Sequence, residues 1–241
     1  EPFIRDSIKP IGEPLFTAKN SGELNLSPVL SPDGENVTFL TNKNVISIDL
    51  MVANTKTKKI IKKLTSTVRK SHIDDFNYIE SSGSWSPDGN SYVLTTFSKG
   101  RNKLLIANVE GDNVEVQKEI GPEGVKAFNN PEWSPDGNKI LINGLVNGQS
   151  DLFIYDLEQK EVKQLTDDGY SDLHASWSSD GEKIVFISDR GTDTDLSKQK
   201  YGKYRLCTLN LKTRELDVID VFPDSDIYSP NFSSKDTAVF F

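Results

Sequence analysis

The chain has 241 residues, 35% hydrophobic and 27% charged, a composition that supports a folded domain with a real apolar core. Its net charge of −8 argues against nonspecific nucleic-acid binding, and no stretch approaches the roughly 20 apolar residues that a membrane helix needs. The one cysteine, Cys207, excludes an intramolecular disulfide and the multi-cysteine metal motifs, and in the apolar run YRLCTLNL it reads as a small buried hydrophobe.

The opening EPFIRDSIKP lacks the basic start and apolar run of a signal peptide, as a mature or excised chain also would. The first segment with strand character is EPLFTAK, residues 13–19, with Thr17 standing 14 residues ahead of the first SPDG as Thr166 stands 12 ahead of a later copy. From there a repeat organises the chain. SPDG occurs at residues 31–34, 86–89 and 134–137, SSDG at 178–181 and a degenerate SSKD at 233–236, spaced by 55, 48, 44 and 55 residues. A large apolar residue precedes each copy: Leu30, Trp85, Trp133, Trp177 and Phe232. Three residues after each copy come Val37, Tyr92, Ile140, Ile184 and Val239, and two further on Phe39, Leu94, Ile142, Phe186 and Phe241, a period-2 strand pattern.

The tetrapeptide is turn chemistry. Pro32, Pro87 and Pro135 preset φ, the aspartate bonds nearby backbone, and Gly34, Gly89, Gly137 and Gly181 accept positive φ. Each copy therefore joins two antiparallel strands. A third strand follows (SIDLMVAN, KLLIAN, DLFIYD, YRLCTLN), ending at Asn54, Asn108, Asp156 or Asn210, and then a fourth such as KKLT or KQLT. Four antiparallel strands every 44 to 55 residues is the signature of a β-propeller blade, and repetition in register sets this reading above a sandwich. The blades fall at about 24–66, 80–121, 128–167 and 173–221, with a partial fifth at 227–241 and residues 13–19 as a candidate ring-closing strand. Because the fifth unit stops at TAVFF after two strands, the chain reads as cut from a ring of six or more blades.

The WSPDG motif, the YDL-type third strand and the LT of the fourth resemble TolB-like propeller repeats over residues 13–241. SWSPDGN and GQSDLFIYDLEQKEVKQLTDD are most similar to large exported bacterial proteins of this class. The resemblance implies a usual ring of six blades, a periplasmic or otherwise exported location, a protein or peptide partner in the cell envelope, no cofactor, and no catalytic residue in this chain.

Chain direction places the SPDG turns and the turns after third strands on one face, hereafter the first. Loops between second and third strands, and between blades, fall on the second. Both long insertions, residues 66–82 and 188–203, lie there, and a rigid scaffold with long loops on one face usually binds there, with neutral loop drift as the alternative. It is rich in acid: Asp74, Asp75 and Glu80; Asp167, Asp168 and Asp172; Asp189, Asp193 and Asp195; Asp220, Asp224 and Asp226. Such a face attracts a basic segment or a divalent cation, although the Asp189–Asp193–Asp195 spacing is not that of an EF-hand, and solvated surface charge explains it equally. Three residues before each anchor stands a polar residue, Ser27, Ser82, Asn130, His174 and Ser229, one per blade where the innermost strand begins. With Asp172, which stands beside His174, they are candidates to line a channel mouth that takes a peptide terminus, with strand-ending polarity, and for His174 an ordinary loop hydrogen bond, as the alternative. His72 reads as a solvated loop residue.

No HExxH, GxSxG, P-loop or Rossmann glycine pattern is present. Three functions compete: a binding scaffold, a gating propeller of a prolyl oligopeptidase-type serine peptidase, and a metal-dependent lactonase-like propeller.

Overall fold

The computed structural model describes residues 14–16, 21–22, 24–44, 47–64, 75–76, 83–111, 113–191, 193–220 and 222–241. The fold is all-β, in antiparallel blades whose strands run outward in chain order. Blade one holds β1 (Asn25–Leu30), β2 (Asn36–Asn44), β3 (Ser47–Asn54) and β4 (Lys59–Lys63). In blade two, β5 (Asp75–Phe76) and β6 (Ser84–Trp85) both pair with β7 (Ser91–Ser98), followed by β8 (Arg101–Glu110) and β9 (Asn113–Ile120). Blade three holds β10 (Ala127–Trp133), β11 (Lys139–Val146), β12 (Gln149–Asp156) and β13 (Val162–Gln164). Blade four holds β14 (Asp172–Trp177), β15 (Lys183–Ser188), β16 (Arg205–Asn210) and β17 (Leu216–Ile219). A two-stranded sheet, β18 (Asn231–Phe232) and β19 (Val239–Phe240), starts the fifth. The first strands of successive sheets contact one another, β1 with β6, β6 with β10, β10 with β14 and β14 with β18, which puts them innermost.

The core lies between blades. Middle strands bury both faces, so the period-2 pattern has a second apolar set in its gaps: Ile140 and Ile142 pack toward blade two while Leu141 packs toward blade four. Each such side chain contributes roughly 1.5–3 kcal/mol. Trp85 and Trp177 lie in the clusters they share with the preceding blade, and their indole N–H groups donate back to it, to Val29 O (3.1 Å) and Glu132 O (3.4 Å). On the other side of blade one, Leu15 and Phe16 cover Val37, Phe39 and Met51, with the Phe16 ring stacked on Phe39 at 5.0 Å. With Pro14 they are the described residues of the segment read as a ring-closing strand; Thr17 lies outside them.

The tetrapeptide turns are near copies. Ser31, Ser86, Ser134 and Ser178 each donate Oγ–H to the aspartate two residues on, at 2.6, 2.5, 2.5 and 2.6 Å. Each also accepts an amide five residues on at 2.9 Å, and the turn glycines hold φ between 71° and 74°. Successive turns touch: Gly89 lies against Pro32, Gly137 against Pro87 and Gly181 against Pro135. At the last junction serine replaces the proline and aspartate the glycine. There the Ser179 amide and hydroxyl donate to the Asp236 carboxylate at 2.9 and 2.5 Å.

The turns after third strands repeat as well. Asn54, Asp156 and Asn210 each accept two amides with Oδ1, and Lys58, Lys160 and Arg214 follow in the left-handed region. Blade two departs from this. Asn108 stays paired within the sheet, β8 runs on to Glu110, and Gly111 makes the turn.

Candidate functional site

The ring of polar residues has a backbone cause. Ser27, Asn130, His174 and Ser229 all sit at positive φ, between 47° and 52°. In β1, β10 and β14 the pairing register shifts at that point, so each innermost strand carries a bulge there. Asparagine and histidine tolerate this conformation better than most residues. Pro28, Pro131 and Pro230 follow directly, where the bulge frees a position that has no N–H to give. Ser82, the fifth member, lies outside the described residues.

The bulges bring three of these residues together. The His174 ring Nδ1 lies 3.4 Å from both the amide and the hydroxyl of Ser229. Asn130, His174 and Ser229 line an axial cavity of about 310 Å³ with Glu132, Ser176 and Asn231. Asn130 and His174 also line a second cavity of about 430 Å³, with Asn102, Asn129, Asn143 and Ser150. Ser27 lines neither of these two cavities.

Around the second cavity the second face is built on two-residue hairpins. Lys99–Gly100 and Asn147–Gly148 have positive φ at both central residues, the type I′ turn whose twist matches the flanking strands. At equivalent positions they raise Phe97 (39% exposed) and Leu145 (50%) above the face. The insertion in blade four adds Leu196 (39%) and Tyr201 (62%), giving an apolar arc across blades two to four. Asp195 caps the short 3-10 helix Leu196–Lys198, and Leu196 lies where Gly169 leaves room, since a Cβ there would meet it at 2.3 Å.

Seven acids of this face, Asp168, Asp172, Asp189, Asp193, Asp195, Asp220 and Asp226, are engaged within the protein. Asp172 is fully buried and receives both oxygens' worth of bonding from Arg190 Nη2, at 2.7 and 2.6 Å. Arg190 also pairs with Asp168 at 3.1 Å and lies over the Tyr170 ring. Burial works against the Arg190 charge, but the two carboxylates outweigh it and hold its pKa above the ordinary guanidinium value. Asp189 accepts the Ser171 amide at 2.8 Å, and burial pushes its carboxyl up. Asp193 accepts the Lys203 amide at 2.9 Å, which holds it below the usual range, and meets Arg205 at 3.3 Å. Bonds from Lys198 and Ser197 lower Asp195. Asp220 pairs with Arg205 and Asp226 with Lys203. These carboxylates brace loops and do not converge on one point. Asp75 contributes backbone to β5; Asp74, Glu80 and His72 lie outside the described residues.

Two groups escaped sequence reasoning. Arg190, next to the acid run, is the counter-charge of Asp172. Glu132, directly before Trp133, turns into the axial cavity and accepts from the Ser176 hydroxyl (3.0 Å) and the Trp177 amide (3.2 Å). Burial pushes its carboxyl from 4.5 up to about 7. A carboxylic acid inside a strand otherwise read as buried was the available signal. Burial likewise pushes Asp151, on β12, up to about 6.

A radial arrangement of four-stranded antiparallel blades with tetrapeptide turns on one face defines a β-propeller. A family model described as the TolB beta propeller domain matches residues 113–212. TolB from Acinetobacter baumannii superposes with a TM-score of 0.65 at 19% identity, over 90% of this chain and 48% of that one. The β-propeller domain of the Trilobed protease from Pyrococcus furiosus gives 0.56 at 18% identity, over 88% and 61%. Puromycin hydrolase gives 0.57 at 16%, over 87% and 32%. The chain thus spans about half the length of the Acinetobacter TolB. No curated protein matches it in sequence. Among the described residues, no helix is long and apolar enough to cross a membrane.

Proposed function

We propose that this propeller is a non-catalytic scaffold of the bacterial cell envelope, exported, that binds a protein or peptide through its second face. The observation that carries the reading is the juxtaposition there of the polar mouth (Asn130, His174, Ser229) and the apolar arc of Phe97, Leu145, Leu196 and Tyr201. Exposed apolar side chains around a polar recess resemble the anatomy of binding sites, whereas the first face consists of turns that satisfy their own polar groups. Because the acids brace loops, the reading rests on shape and neutral hydrogen bonding, with charge attraction as a lesser contribution.

The test compares capture of envelope proteins by wild type, by Leu145→Lys/Tyr201→Lys on the second face, and by Asp136→Lys/Lys212→Glu on the first. A partner lost only with the second-face pair supports the reading. One lost only with the first-face pair overturns it. The likeness to peptidase propellers favours a second reading, a gating domain that admits substrate to a serine peptidase. An open reading frame carrying a GxSxG hydrolase region beside this chain would support it.

A further inference from the structure

The 430 Å³ cavity of the second face has a lining of unusual uniformity. Its polar side chains are Asn102, Asn129, Asn130, Asn143, Ser150 and His174, and among the described residues no Asp, Glu, Lys or Arg side chain lines it. Two of the asparagines are oriented from behind. Asn102 Nδ2 donates to Phe128 O at 2.8 Å, and Asn143 Nδ2 donates to Asp172 O at 3.3 Å. Asn143 is 4% exposed, and its Oδ1 has no hydrogen-bond partner among the described residues. Turning the amide over would set oxygen against the Asp172 carbonyl, so the network assigns the unmatched atom as the acceptor. A buried acceptor left unmatched has given up its water without a replacement, which a ligand N–H would relieve.

From this we propose that the cavity binds an uncharged carboxamide, the side chain of a glutamine or asparagine on an extended peptide. The proposal rests on the second face being the binding face and names the chemistry it reads. A primary amide brings two N–H donors for the presented acceptors and one acceptor for the hydroxyl and ring N–H groups at the rim. An ammonium or guanidinium entering the cavity would lose water with no carboxylate in the lining to replace it, and a carboxylate would meet oxygen acceptors without a cation. The volume suits one such residue with its flanking peptide units, and Leu145 at the rim offers apolar cover.

The test titrates isotope-labelled protein with N-acetylglutamine methylamide, and in parallel with the corresponding glutamate and lysine methylamides and with maltose. Expected are saturable shifts of the Asn143 and Asn130 side-chain amides with the glutamine derivative. Binding of each charged derivative should be at least tenfold weaker. Asn143→Val should weaken the glutamine derivative at least tenfold. So should Ala127→Trp, which fills the cavity from a partly exposed position and guards against a folding defect in the first variant. Tighter binding of either charged derivative or of maltose, no saturable shift at the cavity, or unchanged binding by both variants would overturn the assignment. If the probes fail while partner capture still depends on Leu145 and Tyr201, the carboxamide assignment falls and the binding face stands. If the probes bind as expected while capture ignores those residues, the assignment stands and the face must be reassigned.

Discussion

The two faces of this propeller are built by opposite rules. On the first, four turns repeat the same serine–aspartate bond to within 0.1 Å, and adjacent turns rest on each other. On the second, blades two and three carry tight hairpins, whereas blade four carries an insertion tied by Asp193 and Asp195 and a buried Asp172–Arg190 pair. The comparison teaches that sequence uniformity marks polar groups satisfied locally, within a few residues. Divergence marks groups whose partners lie further along the chain, or come from outside it.

The largest expected effect tests the second-face framework. Asp172→Ala leaves the Arg190 guanidinium, 11% exposed, without its main counter-charge. Urea unfolding should show a loss of about 3–5 kcal/mol, and a result below 1 kcal/mol would mean that Asp168 alone suffices. On the first face, Ser134→Ala removes both the bond to Asp136 and the acceptor for the Lys139 amide. The expected loss is about 1–2 kcal/mol, and the equivalent change at Ser86 should match it if the turns are interchangeable.

Glu132 lines the axial cavity, and its effect depends on pH. Its folded pKa of about 7 is raised from 4.5, so its contribution is complete below about 4.5 and is lost as pH rises through about 7. Chemical denaturation across that window should show wild type losing about 1–3 kcal/mol relative to Glu132→Gln. Parallel curves for the two proteins would place the Glu132 carboxyl in water.

Smaller still is the junction of turns four and five. Ser179→Pro removes an amide that donates to Asp236, so it should destabilise alone and do less in the presence of Asp236→Gly. A double-mutant cycle should give a coupling of roughly 0.5–1.5 kcal/mol. Smallest of all, Leu145→Lys and Tyr201→Lys should change stability by no more than about 0.5 kcal/mol, so any loss of binding they cause is a surface effect.

Much of this was legible in the residues. Trp85, Trp133 and Trp177 mark the ends of innermost strands, as the repeat requires, and Gly34, Gly89, Gly137 and Gly181 have the positive φ assigned to them. The position of the polar ring was legible too, though its cause was not. A bulge shared by Ser27, Asn130 and His174 appears only when the strands pair, and the polar–proline pairs at Ser27, Asn130 and Ser229 were the faint trace of it. The acid-rich loops read as an attractive surface because sequence counts charges without their partners.

By itself the sequence determined the blade unit, its turns, and the side on which the loops lie. These depend on φ preferences, period-2 burial and chain direction, all of which act within one repeat. Tertiary structure alone decided that Asp172 is buried on Arg190, that Glu132 faces the axis, that Asn143 keeps an unmatched oxygen beside a cavity, and that Ser179 answers Asp236 across 57 residues. The first depends on how strands pair within blade four, the others on which blade stands next to which, and a desolvated polar group takes its meaning from the partner that this packing supplies.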